Sequence, residues 1–253
     1  MYQFFVEPCQ IHEAEKKVVI TGSDVNHIKN VLRMKIGEEI NVSNGIDGKE
    51  YRCAIASYED EMVVCDLYFM KEDNVELPVK VTLFQGLPKA DKMELIIQKA
   101  VELGVSEIVP VATKRCVVKL DDKKAASKIA RWQGIAEAAA KQSKRGIIPV
   151  VSGVKTFGEA VKYTSDMSVR IIPYECAEDM SHTREIINGI KPGDSVAVFI
   201  GPEGGFEEAE VDKAFENGIE PVTLGRRILR TETAGMTVLA WLGYVLEDRN
   251  SAE

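Results

Sequence analysis

The chain has 253 residues, 45% of them hydrophobic and 28% charged, which is enough to bury a sizeable core in one large domain or in two smaller ones. No apolar run is long enough to cross a membrane. The opening MYQFFVEPCQ also lacks the basic start and apolar centre of a signal peptide, so a cytoplasmic protein is expected. The net charge of −8 opposes phosphate binding on average, but Lys114 to Arg145 carries ten basic residues against three acidic ones. Alone, such a run reads as a solvated helix face, and it points to RNA only when other features agree.

The five cysteines (Cys9, Cys53, Cys65, Cys116, Cys176) form no C-x-x-C pair and read mostly as small buried hydrophobes. His12, His27 and His182 form no metal-binding pattern, so no metal is expected.

In chain order, the runs FFV, KVVI, EINVSNG, YRCAIASY and MVVCDLYF read as β-strands, with turn signals at Asn44-Gly45 and Asp47-Gly48. A small β-barrel is expected over residues 1–72. Inside it, SDVNHIKNVLRM reads as a helix capped by Ser23 or Asp24, with Val25, Ile28, Val31 and Leu32 on its apolar face. Its other face carries Asn26, His27, Lys29, Asn30 and Arg33 without an acid, so it can donate to phosphates. The polar KEDNVELP, Lys71 to Pro78, reads as a linker, so the second domain is set at 73–253.

From there strands and helices alternate. VKVTLFQ is followed by a helix ended by Gly104, the strand SEIVPVAT and a long basic helix from about Lys124 to Ser143. A strand near Val150, a helix after Thr156, VRIIPY, a helix near Glu185, SVAVFIG, FEEAEVDKAFENG, EPVTLG and a closing helix from about Thr233 come next. Such alternation predicts a mostly parallel, doubly wound sheet, with ligands beyond the carboxyl ends of its strands.

Two loops carry the chemistry. The apolar SVAVFI runs straight into Gly201, Pro202, Glu203, Gly204 and Gly205, and glycines so dense mark a sharp turn or a close approach to a ligand. The loop fits neither the dinucleotide nor the nucleoside triphosphate fingerprint. One strand later PVTL ends at Gly225, the loop RRILRT follows, and Thr231 or Thr233 is expected to cap the last helix. Arg226, Arg227 and Arg230 beside that helix start make a spot that favours an anion, unless one of them only pairs with Glu203 or Glu232. The helix itself, TAGMTVLAWLGYVL, is apolar almost all round, so it is either wholly internal or a subunit interface, and a homodimer is the preferred reading.

FIGPEGGF followed by LGRRILRTETA resembles the signature of the RsmE family in the SPOUT superfamily, whose members methylate N3 of a uridine in small-subunit (16S) ribosomal RNA. NHIKNVLRM, GLPKADKMELIIQKAVELGV, RCVVKL and RWQGIAEAAAKQS are similar to family segments in the same order, so the resemblance spans nearly the whole chain. It implies an N-terminal PUA-like RNA-binding β-barrel, a C-terminal SPOUT α/β domain with a trefoil knot, and a homodimer. It also implies that S-adenosylmethionine binds in the loops containing Ile200, Gly201, Glu203, Gly204 and Gly205, and Leu224, Gly225, Ile228, Leu229, Thr233 and Ala234. Three positions depart from the family pattern: Gln3 stands where an arginine is common, Lys141 where a glutamate is, and Arg226 where a proline is.

For methylation of N3, an arginine aimed at the uracil carbonyls would stabilise the charge that develops when the proton leaves. Arg230 is assigned that role, and Glu232 that of proton acceptor or orienter. Lys29, Arg33, Lys89, Lys92, Arg115 and Arg145 are assigned to RNA phosphates. The competing readings are a SPOUT methyltransferase acting on another nucleotide, a non-catalytic RNA-binding protein, which would not need two glycine-bearing loops, and a nicotinamide oxidoreductase, whose fingerprint VTLFQGLPKADK does not show.

Overall fold

The computed structural model describes residues 1–72, 75–174 and 180–247; Cys176 and the linker residues Asp73 and Asn74 lie outside them. Two compact units emerge. One holds Met1–Glu76 together with Ala140–Ile148, the other Leu77–Ala139 and Pro149–Glu253.

The first unit is built on six strands: β1 (Gln3–Phe5), β2 (Ile11–His12), β3 (Lys17–Thr21), β4 (Glu39–Ser43), β5 (Lys49–Tyr58) and β6 (Met62–Glu72). They pair in the order β1-β4-β5-β6-β3-β2, so the expected barrel is a mixed ladder with β1 and β2 at its two edges. Only the β1–β4 pairing is parallel. Alternation decides which side faces inward: Val18 and Ile20 on β3, Ile40 and Val42 on β4, and Val63 and Cys65 on β6 meet in one apolar cluster. Gly45 and Gly48 adopt φ of +73° and +71°, which the turn between β4 and β5 requires, and the Asn44 side chain accepts from the Ile46 and Asp47 backbone N–H groups. Cys53 and Cys65 are fully buried, and burial pushes both thiols up to about 12, which leaves them inert at neutral pH. Cys9, in contrast, is exposed.

The helix in this unit departs from expectation. A short α1 (Ser23–Asn26) passes into a π-turn over His27–Val31, closed by the Leu32 N–H on the His27 carbonyl at 2.8 Å. The wider turn rotates the chain beyond Ile28, so Val31 is 61% exposed instead of joining Val25 and Ile28 in the core. Neither Ser23 nor Asp24 is the cap; Gly22 holds that position without a side-chain bond.

The segment 140–148 belongs with the first unit, although the sequence places it in the second domain. Ile148 N–H donates to the Gly45 carbonyl at 3.0 Å, and an added Cβ on Gly146 would lie 2.9 Å from the Gly48 backbone. Arg145, assigned above to RNA, is 3% exposed and forms a bidentate ion pair with Glu76; its carbonyl also accepts from the Gln3 amide at 2.8 Å. A guanidinium so enclosed cannot reach a phosphate, so Arg145 is a structural residue. Lys141, the second departure from the family pattern, pairs with Asp24 at 3.4 Å.

The second unit is a parallel sheet of seven strands: β7 (Lys80–Gly86), β8 (Glu107–Ala112), β9 (Val150–Val151), β10 (Lys155–Thr156), β11 (Val169–Pro173), β12 (Ser195–Ile200) and β13 (Glu220–Val222). Their order is β10-β8-β7-β12-β11-β13, with β9 also on β8, and every pairing is parallel. The helices are α2 (Lys92–Glu102), α3 (Asp122–Ser143, its last turn grouped with the first unit), α4 (Phe157–Tyr163), α5 (Met180–Gly189), α6 (Glu208–Glu216) and α7 (Thr231–Leu246). Phe84 and Phe199 stack on one sheet face with their ring centroids 4.5 Å apart, under Phe157 of α4 and Val211 and Ala214 of α6. Leu83 and Ile200 point the other way, where Gly235 lets α7 settle on them. α2 buries Met93, Ile96, Ile97, Ala100 and Val101, the spacing of one helical face, and packs on α7. α7 is not wholly internal, since Tyr244 is 83% exposed. Among the described residues no helix is long and apolar enough to cross a membrane, and no cluster of histidine, cysteine and acidic residues could hold a metal.

Removing one member of a buried ion pair strands the other charge, at a cost of about 3 kcal/mol. Arg145→Met is therefore expected to lower the denaturant midpoint of the protein markedly, measured by circular dichroism.

Candidate functional site

β7, β12, β11 and β13 are neighbours, and their carboxyl ends deliver four chain segments to one edge of the sheet. Between them lies a cleft of about 1010 Å³. The loop after β12 forms one wall and the loop after β13 the other, as expected for a sheet of this winding.

The two loops are tied at their roots. Gln85, fully buried near the end of β7, donates from its amide to the Thr231 hydroxyl at 2.9 Å, and that hydroxyl donates to the Gly201 carbonyl at 2.6 Å. Thr231 is thus a tether and not the expected cap; Arg230 occupies the cap position of α7 without a side-chain bond. The loop after β12 is compact. Gly205 N–H donates to the Pro202 carbonyl at 2.9 Å with Gly205 at φ +68°, and an added Cβ on Gly86 would lie 2.6 Å from Pro202. Only glycine at 86 lets the β7 end and this loop lie against each other. Phe206 and Glu210 anchor the far end of the loop: the Phe206 ring joins the core, and the Glu210 carboxylate accepts the Lys114 N–H at 3.0 Å and the Glu207 N–H at 3.0 Å.

The second loop is held more lightly. Thr223 exchanges hydrogen bonds with the Thr183 hydroxyl of α5, and Gly225 turns at φ +97°. Beyond it, among the described residues, the backbone N–H groups of Arg226 to Leu229 donate to no acceptor in the chain. Ile228 is 92% exposed and Leu229 half-buried, both lining the cleft. The cleft therefore combines apolar side chains with free backbone donors, a mixture suited to an uncharged aromatic heterocycle held edge-on.

The charged residues sit at one end. Lys92 Nζ lies 2.9 Å from Glu203 Oε1 and 3.6 Å from Glu232 Oε2, and Glu203 also accepts the Lys89 N–H at 3.1 Å. Burial pulls the Glu203 carboxyl upward, but the hydrogen bonds from Lys92 and the backbone outweigh it and hold the group below its ordinary value. Arg230 borders the cleft and opposes the Lys92 charge. Arg115 donates to the Gly204 carbonyl at 3.0 Å, bracing the first loop from the segment after β8.

Of the residues singled out from sequence, Ile200, Gly201, Glu203, Gly204, Gly205, Leu224, Gly225, Ile228, Leu229, Ala234 and Arg230 all line the cleft. Thr233 does not; it is exposed on the first turn of α7, and Glu232 reaches the cluster only through Lys92. Lys92 and Arg115, assigned to RNA, also line the cleft, while Lys29, Arg33 and Lys89 are exposed elsewhere on their units. Sequence reasoning missed Gln85, Pro173, Tyr174, Met180 and Thr223. Pro173 and Tyr174 could have been found, because they end β11 beside the strand that carries the glycine loop.

Comparison with known proteins agrees with this geometry. Residues 75–243 match the RNA methyltransferase domain family and residues 20–61 the RNA methyltransferase PUA domain family. The chain is 40% identical over 252 residues to the ribosomal RNA small subunit methyltransferase E of Bacillus subtilis, covering 98% of each. It is 31% identical to the protein of the same name from Synechocystis, covering 97% of this chain and 78% of that one. The structure of a ribosomal RNA small subunit methyltransferase E from Neisseria gonorrhoeae bound to S-adenosyl methionine superposes with a TM-score of 0.82 at 31% identity, covering 97% of this chain and 98% of that one. A likeness that runs through both units and nearly end to end leaves one assignment: the chain belongs to the ribosomal RNA small subunit methyltransferase E family.

Proposed function

We propose that the protein methylates N3 of a uridine in 16S ribosomal RNA of the small ribosomal subunit, with S-adenosylmethionine as methyl donor. The observation that carries the reading is the cleft itself: two glycine-turned loops with free backbone donors and apolar walls, closed at one end by Arg230, Lys92 and Glu203, with Glu232 paired to Lys92 behind them. The donor fits what this cleft offers. Ile200, Leu224, Ile228, Leu229 and Ala234 supply apolar contact for an adenine ring, and the N–H groups of Arg226 to Leu229 supply bonds to its edge. Gly201, Gly204 and Gly205 admit the sugar and amino-acid portion to the backbone, with Glu203 as a polar neighbour and Thr233 at the rim. When bound, S-adenosylmethionine supplies an activated methyl group on a sulfonium centre.

The chain's own task is alignment and control of one proton. Orienting two bound partners supplies roughly 7–11 kcal/mol of a barrier. Uracil N3–H is a weak acid, and its proton must leave as N3 takes the methyl carbon. Arg230 faces the carbonyl oxygens on which the negative charge then spreads, and Glu232 accepts the proton. Lys29, Arg33, Lys89 and Arg115 contact RNA phosphates from exposed positions. The protein works in the cytoplasm as a homodimer, and the exposed Tyr244 on α7 supports the latter by offering apolar surface to a second copy. The passages after β12 and β13 form a trefoil knot, as the family resemblance implies.

Purified protein incubated with tritium-labelled S-adenosylmethionine and small subunits lacking the modification is expected to place label in 3-methyluridine. Label in another nucleoside would replace the substrate assignment, absence of cofactor binding would leave a non-catalytic RNA-binding protein, and cofactor binding without transfer would point to a missing substrate or partner. Arg230→Ala should lower turnover by about 10²–10³-fold, the usual loss of one charge-stabilising donor, with donor affinity little changed in calorimetry. Gly86→Ala should act the other way. Its Cβ, 2.6 Å from Pro202, introduces overpacking of about 1–3 kcal/mol, and displacement of the loop should weaken donor binding by roughly tenfold or more.

A further inference from the structure

Lys92 opens α2 and lies in neither glycine loop, yet its ammonium sits between a carboxylate from each: Glu203 at 2.9 Å and Glu232 at 3.6 Å. Three chain segments meet there, the start of α2, the loop after β12 and the first turn of α7. We infer that Lys92 is a positioning residue that holds Glu203 and Glu232 ionised and oriented, keeping Glu232 ready to take the N3 proton. The inference rests on the methyl-transfer reading above.

The two carboxylates are not bound alike. Glu203 is saturated, with Lys92 Nζ on one oxygen and the Lys89 backbone N–H on both. The buried Oε2 of Glu232 accepts no hydrogen bond, and Lys92 reaches it only through charge. A carboxylate has room for several donors, so Glu232, held near the Lys92 ammonium, keeps unused acceptor capacity. Without a shared cation, two carboxylates converging on one ammonium site would repel, and one would take up a proton from solvent and cease to be a base. The charged groups around Lys92 are Glu203, Glu232 and Arg230, two of each sign with Lys92 itself counted, so the cluster is balanced only while Lys92 is present. The directions of titration agree. The Glu203 hydrogen bond, against burial, raises Lys92 above its ordinary value, and Glu203 lies below its own. A carboxylate lowered in this way stabilises the site above the ordinary carboxylate range, and the contribution is lost as pH falls through the lowered value. Side-chain exposure of 29% and two acidic partners also argue against the phosphate contact assigned to Lys92 from sequence.

The test uses the full chain with ¹³C-labelled glutamate carboxyls, titrated by NMR without donor or RNA in the native protein, Lys92→Met and Lys92→Arg. The acid limb of methyl transfer is measured at saturating donor in parallel. In Lys92→Met the titration of this carboxylate pair is expected to move up by about one pH unit or more, the acid limb is expected to follow, and Lys92→Arg is expected to restore both. Unmoved midpoints with a rate lowered equally at every pH would overturn the inference and leave Lys92 a structural residue. Unmoved midpoints with weaker RNA binding would overturn it in favour of a phosphate contact. Should Lys92→Met not fold, Glu203→Gln leaves the ammonium to Glu232 alone. The Glu232 midpoint should then fall, and one that stays put overturns the inference. Carboxyl midpoints that move as expected in a native protein without transferase activity would refute the methyl-transfer reading while leaving the ionising role of Lys92 measured.

Discussion

Everything at the candidate site depends on one buried hydrogen-bond chain, from the Gln85 amide through the Thr231 hydroxyl to the Gly201 carbonyl. Loops that end parallel strands have no ladder to hold them, so their relative position must come from elsewhere. Here a strand end, a helix start and a glycine loop share one hydroxyl that both accepts and donates. The closeness of Gly86 to Pro202 adds a steric stop beneath the same loop. Because Gln85 is fully buried, its bonds do not compete with water, and each broken one would leave a polar atom without a partner. The cleft is thus rigid at its base, while the Arg226–Leu229 segment above it keeps its backbone donors unspent.

That arrangement separates two kinds of work. The base of the cleft is fixed by the bonds from Gln85 through Thr231 to Gly201, and the backbone donors left unused line its open side. The Arg226–Leu229 N–H groups and the exposed Ile228 are of the second kind, while the unpartnered Glu232 Oε2 is buried behind Lys92. Unspent backbone donors concentrated along one wall of a cleft are what a ligand site requires.

Much of this was legible from the chain alone, for identifiable reasons. The β-type runs marked the strands of the first unit except the two-residue β2, because one face of that sheet is buried, and the alternation of strands and helices read the second unit except the two-residue β10, because a parallel sheet needs crossovers. The glycine loop and the arginine-rich loop stood out because their composition is costly outside a turn or a site. What stayed hidden depends on tertiary placement. Val31 has the right spacing for a helical face, but a π-turn rotates it outward. Thr231 looked like a cap because hydroxyls usually cap, yet its partner is a carbonyl from thirty residues earlier. Gln85 carried no signal at all, being one polar residue at the end of an apolar strand.

Charge is where sequence reading fell shortest, and the failure has a common cause. Arg145 was counted as a free cation from its place in the basic window and Lys92 from its place at the start of α2, but each meets acids from distant segments: Glu76 for the first, Glu203 and Glu232 for the second. A formal charge count weighs all of them equally, whereas the field that a substrate meets depends on which charges are already neutralised. With Lys92 paired internally, the positive charge left at the cleft is that of Arg115 and of Arg226, Arg227 and Arg230, all exposed, the last three on the loop after β13. Two of those three precede the helix start by several residues, so they extend the reach of its positive end outward over the cleft instead of concentrating it at the first turn. An acidic protein can in this way present an electropositive edge to a polyanion although its net charge is −8.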